Sequence, residues 1–235
     1  MKSHLNGNIK LSKSSLGEEE KNAVMQVLDA EYLGMGQYVK DFEDQLQDFF
    51  SRPVVCVSSG TAALHLALQS IGVQNGDEVL VQSLTYVSSF QAISATGAKP
   101  VSCDIQLDTL CIDLADAESK ITKNTKAIMP VHYSGGVGDL EKVYLLAKKY
   151  NLRVIEDAAH AFGGKYSKSK IGSFGDIVCF SFDGIKNITS GEGGCIVTSD
   201  EIVLKRARDA RLLGVERDTE KRFTSNRSWK FNVKF

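Results

Sequence analysis

The spacing of apolar residues changes character at about residue 51. Before it, two stretches carry a helical period. Over 15–30, Leu16, Val24, Val27 and Leu28 recur on one side, with Ser15 placed to cap. Over 38–50, Val39, Phe42, Leu46 and Phe49 share a face. Leu33-Gly-Met-Gly36 between them reads as a flexible loop. From residue 54, short β-branched runs alternate with helical stretches. Strands are expected over 54–57, 78–81, 99–103, 126–131, 153–156, 177–180 and 194–198. Helices are expected over 61–71, after Ser88, over 139–150 and over 200–212. Apolar strands alternating with helices imply an α/β fold of three layers, a mostly parallel sheet with helices on both faces. Ligands in such sheets sit at the carboxyl ends of strands, so the chemistry should lie just after each strand.

Composition narrows the class. The chain has 235 residues, 43% hydrophobic and 24% charged, which suits a soluble globular protein with room for one large α/β domain. The net charge of −1 leaves no overall basic field for nucleic acid or anionic lipid. The basic turn Lys165-Tyr-Ser-Lys168-Ser-Lys170 reads as solvated surface. Cys56, Cys103, Cys111, Cys179 and Cys195 form no CxxC pair and no metal-ligand spacing, and an odd, scattered set suggests a reducing compartment. No segment is long and apolar enough for a bilayer, and the polar start of the chain lacks a signal-peptide core. A cytoplasmic protein without metal, nucleic-acid or membrane partners is expected.

Three constellations could carry chemistry. Val57-Ser-Ser-Gly60-Thr61-Ala-Ala63 is a strand, a small-residue turn and a helix start, where free N–H groups suit an anion. Taken alone it is more often an ordinary N-cap, and it is not a P-loop, because no Gly-Lys-Ser/Thr follows. Val154-Ile-Glu-Asp157-Ala-Ala-His160 puts a carboxylate at the end of a buried strand, where it needs a cation or hydrogen-bond donors. Asp157 could equally cap a helix, and a lone histidine such as His160 is more often structural. Phe180-Ser181-Phe-Asp-Gly-Ile-Lys186 puts a lysine in a small-residue turn after an apolar strand. Most such lysines are surface residues, but one partly withdrawn from water can serve as nucleophile and base. Together these parts are what pyridoxal 5′-phosphate (PLP) needs: an anchor for its phosphate, a carboxylate for its pyridine nitrogen and an amine for its aldehyde.

At this point the sequence resembles a known family, the DegT/DnrJ/EryC1/StrS group of PLP-dependent nucleotide-sugar aminotransferases of fold type I. The matching pieces run in family order from about residue 10 to the end. They are Ser58-Ser-Gly-Thr-Ala62, Ser83-Leu-Thr-Tyr-Val-Ser88, Thr125-Lys-Ala-Ile-Met-Pro-Val-His132, Ile155-Glu-Asp-Ala-Ala-His-Ala161 and Ser181-Phe-Asp-Gly-Ile-Lys-Asn-Ile-Thr-Ser-Gly-Glu-Gly-Gly194. The resemblance implies that Lys186 carries the cofactor as a Schiff base and is the catalytic residue. It implies that Asp157 pairs with the pyridine nitrogen, that His160 sits beside the ring and that Tyr86 stacks on its face. Gly60, Thr61 and Ser181 would hold the phosphate. Without the family, Tyr86 reads as a core aromatic. Glu192 falls in the family's Gly-Glu-Gly-Gly turn with no step assigned to it.

The implied reaction moves an amino group from glutamate to a keto group, at C4, of a nucleotide-linked deoxysugar, in a homodimer with sites at the interface. The setting would be surface polysaccharide, including lipopolysaccharide, or antibiotic-sugar synthesis. Two features depart from the family. Many relatives carry a ring where Asp183 stands, beside the lysine loop. The chain also ends at Phe235, where relatives continue into a small C-terminal domain, so that domain is expected to be missing. The expected organisation is a helical segment over 1–50 packed on a large PLP-binding domain over 51–215, with 216–235 beginning a linker. Two other readings compete. A PLP-binding sensor or inactive truncated paralogue would bind the cofactor without transamination. A sugar dehydratase of the same group would carry histidine where Lys186 stands.

Overall fold

The structure, a computed structural model, describes residues 12–212. Two helices lead, α1 (Glu18–Asp29) and α2 (Gln37–Phe50). The alternating part follows as β1 (Val54–Val57), α3 (Gly60–Ser70), β2 (Glu78–Gln82), α4 (Ser88–Ala95), β3 (Lys99–Cys103) and α5 (Leu114–Ser119). It continues as β4 (Thr125–Met129), α6 (Leu140–Tyr150) and β5 (Arg153–Asp157), then a small hairpin of β6 (Lys165–Tyr166) and β7 (Ser169–Lys170). The last elements are β8 (Ile177–Ser181), β9 (Gly194–Thr198) and α7 (Glu201–Ala210). The expected linker over 216–235 lies outside the described residues.

The main sheet has seven strands in the order β1-β9-β8-β5-β4-β2-β3. Neighbours are parallel except where β9 meets β1 and β8. Every strand but β9 therefore sends its carboxyl end to the same edge. Alternate side chains serve opposite faces. Val55, Ile155, Cys179 and Ile196 point to one face, where they pack with α3, α4 and α7. Val54, Val178, Phe180 and Val197 point to the other, beneath α2, while Leu80, Ile128 and Val154 lie beneath α5 and α6. This is the three-layer arrangement that the apolar runs predict.

Local chemistry explains the boundaries. Ser59 accepts the Ala62 N–H and opens α3, and the carboxylates of Asp113, Asp139 and Asp200 do the same for α5, α6 and α7. Each such cap stabilises its helix by ~1 kcal/mol. At α1 the expectation is corrected: Gly17, not Ser15, is the capping position, and the Glu20 carboxylate accepts the Gly17 N–H at 2.5 Å. No residue of α1 is buried, whereas α2 packs on the sheet through Leu46 and Phe50. Strand β4 stops at Met129, because Pro130 follows and cannot donate to the ladder. Helix α5 and the β6–β7 hairpin were not expected; both are short and too weakly periodic to stand out.

A buried arginine ties the α2 end of the sheet. Arg52 donates to the carbonyls of Gly172, Phe174, Gly175 and Asp176 and to Ser199 Oγ. The cysteines pack as small hydrophobes. All five are free, and burial pushes the Cys103 thiol up to about 11 and the Cys56 thiol up to about 12. No helix among the described residues is long and apolar enough to cross a membrane.

Candidate active site

The site begins where β1 turns into α3. Ser59 has extended backbone and caps the helix, so Gly60 is its first residue. Two glycines let three chain segments meet there. A Cβ on Gly60 would lie 2.8 Å from Ser181 Cβ at the end of β8, and one on Gly194 would lie 2.5 Å from the Ser59 carbonyl. Both distances are below real contacts, so only glycine permits the approach. The turn therefore presents backbone N–H groups, the Thr61 hydroxyl and the Ser181 hydroxyl around one small space at a helix N-terminus.

Across the sheet, β5 ends at Asp157, which is 5% exposed. Its Oδ2 accepts Ser89 Oγ–H at 2.7 Å and its Oδ1 accepts the Ala159 N–H at 3.2 Å. His160 follows three residues after Asp157. Its Nδ1 accepts the Ser134 N–H at 3.3 Å, which puts the ring proton on Nε2 when the imidazole is neutral. Ser134 takes a left-handed φ of 52°, uncommon for a non-glycine residue and often found at functional sites. Burial holds the His160 imidazole below its ordinary value, the Lys186 charge adds to this, and Asp157 opposes it.

Lys186 rides a loop closed on itself between β8 and β9. Phe182 donates its N–H to the Gly193 carbonyl at 2.8 Å, and Ser190 donates to the Phe182 carbonyl at 3.0 Å. Within the loop, the Asp183 carboxylate accepts the Ile185 N–H at 3.1 Å and its carbonyl accepts the Lys186 N–H at 3.0 Å. Asp183 therefore builds the turn that carries the lysine. Ser14, ahead of α1, donates its hydroxyl to the Gly184 carbonyl and straps the same turn from outside.

The helix turn, the end of β5 and the lysine loop all contribute to one cleft of about 700 Å³. Its walls include Gly60, Thr61, Tyr86, Asp157, His160, Ser181 and Lys186, every site residue expected from the sequence. Tyr86 is 70% exposed at the mouth, so the core-aromatic reading does not hold. Glu192 and Asp183 also line the cleft. Reading the sequence missed Thr85, Ser89, Tyr133 and Ser134. Ser89 and Thr85 lie in or beside Ser83-Leu-Thr-Tyr-Val-Ser88, and the only signal was a hydroxyl-rich turn after a strand. Among the described residues no cluster of His, Cys, Asp and Glu could hold a metal ion.

Comparison with known proteins decides the family. Residues 14–235 match the model of the DegT/DnrJ/EryC1/StrS aminotransferase family. The chain belongs to this family. It is 46% identical over 194 residues to GDP-perosamine synthase of Escherichia coli O157:H7, a match covering 82% of this chain and 53% of that protein. It is 40% identical over 219 residues to the spore coat polysaccharide biosynthesis protein SpsC of Bacillus subtilis (strain 168), covering 93% of this chain and 56% of that protein. Among solved structures, the PMP-form of Spr1654 from Streptococcus pneumoniae superposes with a TM-score of 0.87 at 31% identity, covering 97% of this chain and 62% of that one. A PLP-form of the same protein superposes at 0.85. The chain thus spans a little over half the length of the curated relatives it matches. The family's cofactor is PLP, and this cleft fits it: the glycine-lined cradle, the strand-end carboxylate and the half-buried lysine lie on separate walls of one space.

Proposed function

We propose that residues 51–215 form the cofactor-binding domain of a PLP-dependent aminotransferase. It would move an amino group from glutamate to a keto group, at C4, of a nucleotide-linked deoxysugar. One observation carries this reading: Lys186, Asp157 and the Gly60–Ser181 cradle converge on a single cleft. When bound, PLP supplies an aldehyde for the amine and an electron-withdrawing ring.

The chain's own groups divide the remaining work. Thr61, Ser181 and the first N–H groups of α3 bind the phosphate. Asp157 would pair with the ring nitrogen and orient the ring, Tyr86, exposed at the mouth, would cover one face, and His160 would sit beside the ring. The Lys186 amine holds the cofactor between turnovers. With its amine free, Lys186 would serve as the base that takes and returns a proton at the substrate carbon. The relative named GDP-perosamine synthase supports a nucleotide-sugar acceptor, and the spore coat relative supports a role in polysaccharide assembly. A homodimer working in the cytoplasm completes the proposal.

The test is spectroscopic. Protein loaded with PLP should show a visible band that bleaches with glutamate and returns with a 4-keto nucleotide sugar. Lys186→Ala should lose this turnover by several orders of magnitude. Turnover surviving in that variant would sink the reading. A stable band that never responds to any amino donor would favour a binding protein instead.

A further inference from the structure

The inference rests on Asp157 as the partner of the ring nitrogen and asks what holds that carboxylate in place. Ser89 Oγ lies 2.7 Å from Asp157 Oδ2, and Thr85 Oγ1 lies 2.7 Å from Ser89 Oγ. An ionised carboxylate has only lone pairs to offer, so the Ser89 proton points to Asp157. The Ser89 oxygen is left as acceptor, and Thr85 becomes its donor. The direction of the chain is set: Thr85 to Ser89 to Asp157.

Burial makes this arrangement consequential. Ser89 is 0% exposed, in the first turn of α4, so no water can replace its hydroxyl. Thr85 lines the cleft, and Tyr86 follows it in the chain. The turn that offers Tyr86 to a ring face is thus pinned, through two hydroxyls, to the carboxylate that meets the ring nitrogen.

We propose that Ser89 is a positioning residue for Asp157 and that Thr85 sets the direction of its hydrogen bond. The relay keeps Asp157 in one rotamer as an acceptor, with lone pairs left over for a protonated ring nitrogen. It also fixes the spacing between that nitrogen's partner and Tyr86.

The experiment uses the full chain with Ser89→Ala, Thr85→Val, Thr85→Ser and Asp157→Ala. PLP labelled with ¹⁵N in the ring reports protonation of that nitrogen by NMR, and a visible titration gives the cofactor Kd. Ser89→Ala should move the ring nitrogen signal toward its unprotonated position and weaken binding about tenfold, the usual scale for one hydrogen bond to a charged group. Thr85→Val should shift both in the same direction by less, and Thr85→Ser should restore wild-type values. A wild-type signal and Kd in both Ser89→Ala and Thr85→Val, with the protonated signal lost in Asp157→Ala, would overturn the relay and leave the Asp157 reading standing. A wild-type signal in Asp157→Ala would overturn the Asp157 reading itself, and the relay with it. Should Ser89→Ala fail to fold by circular dichroism, the Thr85 pair decides alone, and equal behaviour of Val and wild type overturns the relay.

Discussion

At the scale of single residues, the site works by placing ordinary groups in unusual surroundings. Lys186 is one of many lysines in the chain; the closed loop between β8 and β9 turns it into the cleft. His160 shows the consequence for charge. Burial and the nearby Lys186 hold its imidazole below the ordinary 6.5. Unfolded, the ring gains its proton near 6.5; folded, it gains it only at lower pH. The unfolded state therefore binds the proton first as pH falls, and stability drops from about pH 6.5 down to the folded pKa. An NMR titration of cofactor-free protein should place His160 below 6.5, and Lys186→Met should raise it. A His160 value unmoved by that substitution would show that the lysine charge does not reach the ring. Asp157, His160 and Lys186 were legible because each sits in a family motif. Ser89 was not, because a serine in a helix carries no pattern until its carboxylate partner arrives from 68 positions away.

At the scale of elements, the strands could be read almost to their ends because buried strands are continuous apolar runs. Helix α5 escaped because six residues make too little periodicity. The reversed direction of β9 was also hidden: a fully buried strand reads the same in either direction. Its reversal follows from the short loop carrying Lys186, which returns the chain beside β8 without a crossover helix. Arg52 holds this part of the sheet to the turn before β8. Arg52→Met should leave several buried carbonyls without a donor and lower unfolding free energy by about 3 kcal/mol in a denaturant titration. Arg52→Lys should rescue little, since one ammonium cannot reproduce the planar fork. A midpoint unchanged in Arg52→Met would mean that solvent satisfies those carbonyls.

At the scale of the whole molecule, the cleft gathers residues from α3, β5, β8 and the turns before α4 and after β8. Binding a ligand there should stabilise the whole domain. With PLP at about one hundred times its Kd, the unfolding free energy should rise by about 2.7 kcal/mol, visible as a higher melting temperature. Lys186→Ala should show a smaller rise, because the covalent link is lost while the phosphate cradle remains. An equal rise in both would mean that the lysine adds nothing to cofactor affinity.

What the sequence by itself determined was the layered α/β class, the strand runs and the ordered motifs that mark the family. These are local patterns, set by which residues must leave water and by the turns between them. What only the tertiary structure decided was which motifs meet. The cradle at Gly60, the carboxylate at Asp157 and the amine at Lys186 are far apart in the chain. They converge because parallel strands deliver their carboxyl ends to one edge. The exposure of Tyr86 and the bond from Ser89 to Asp157 depend on how segments distant in sequence come together, which no local pattern encodes.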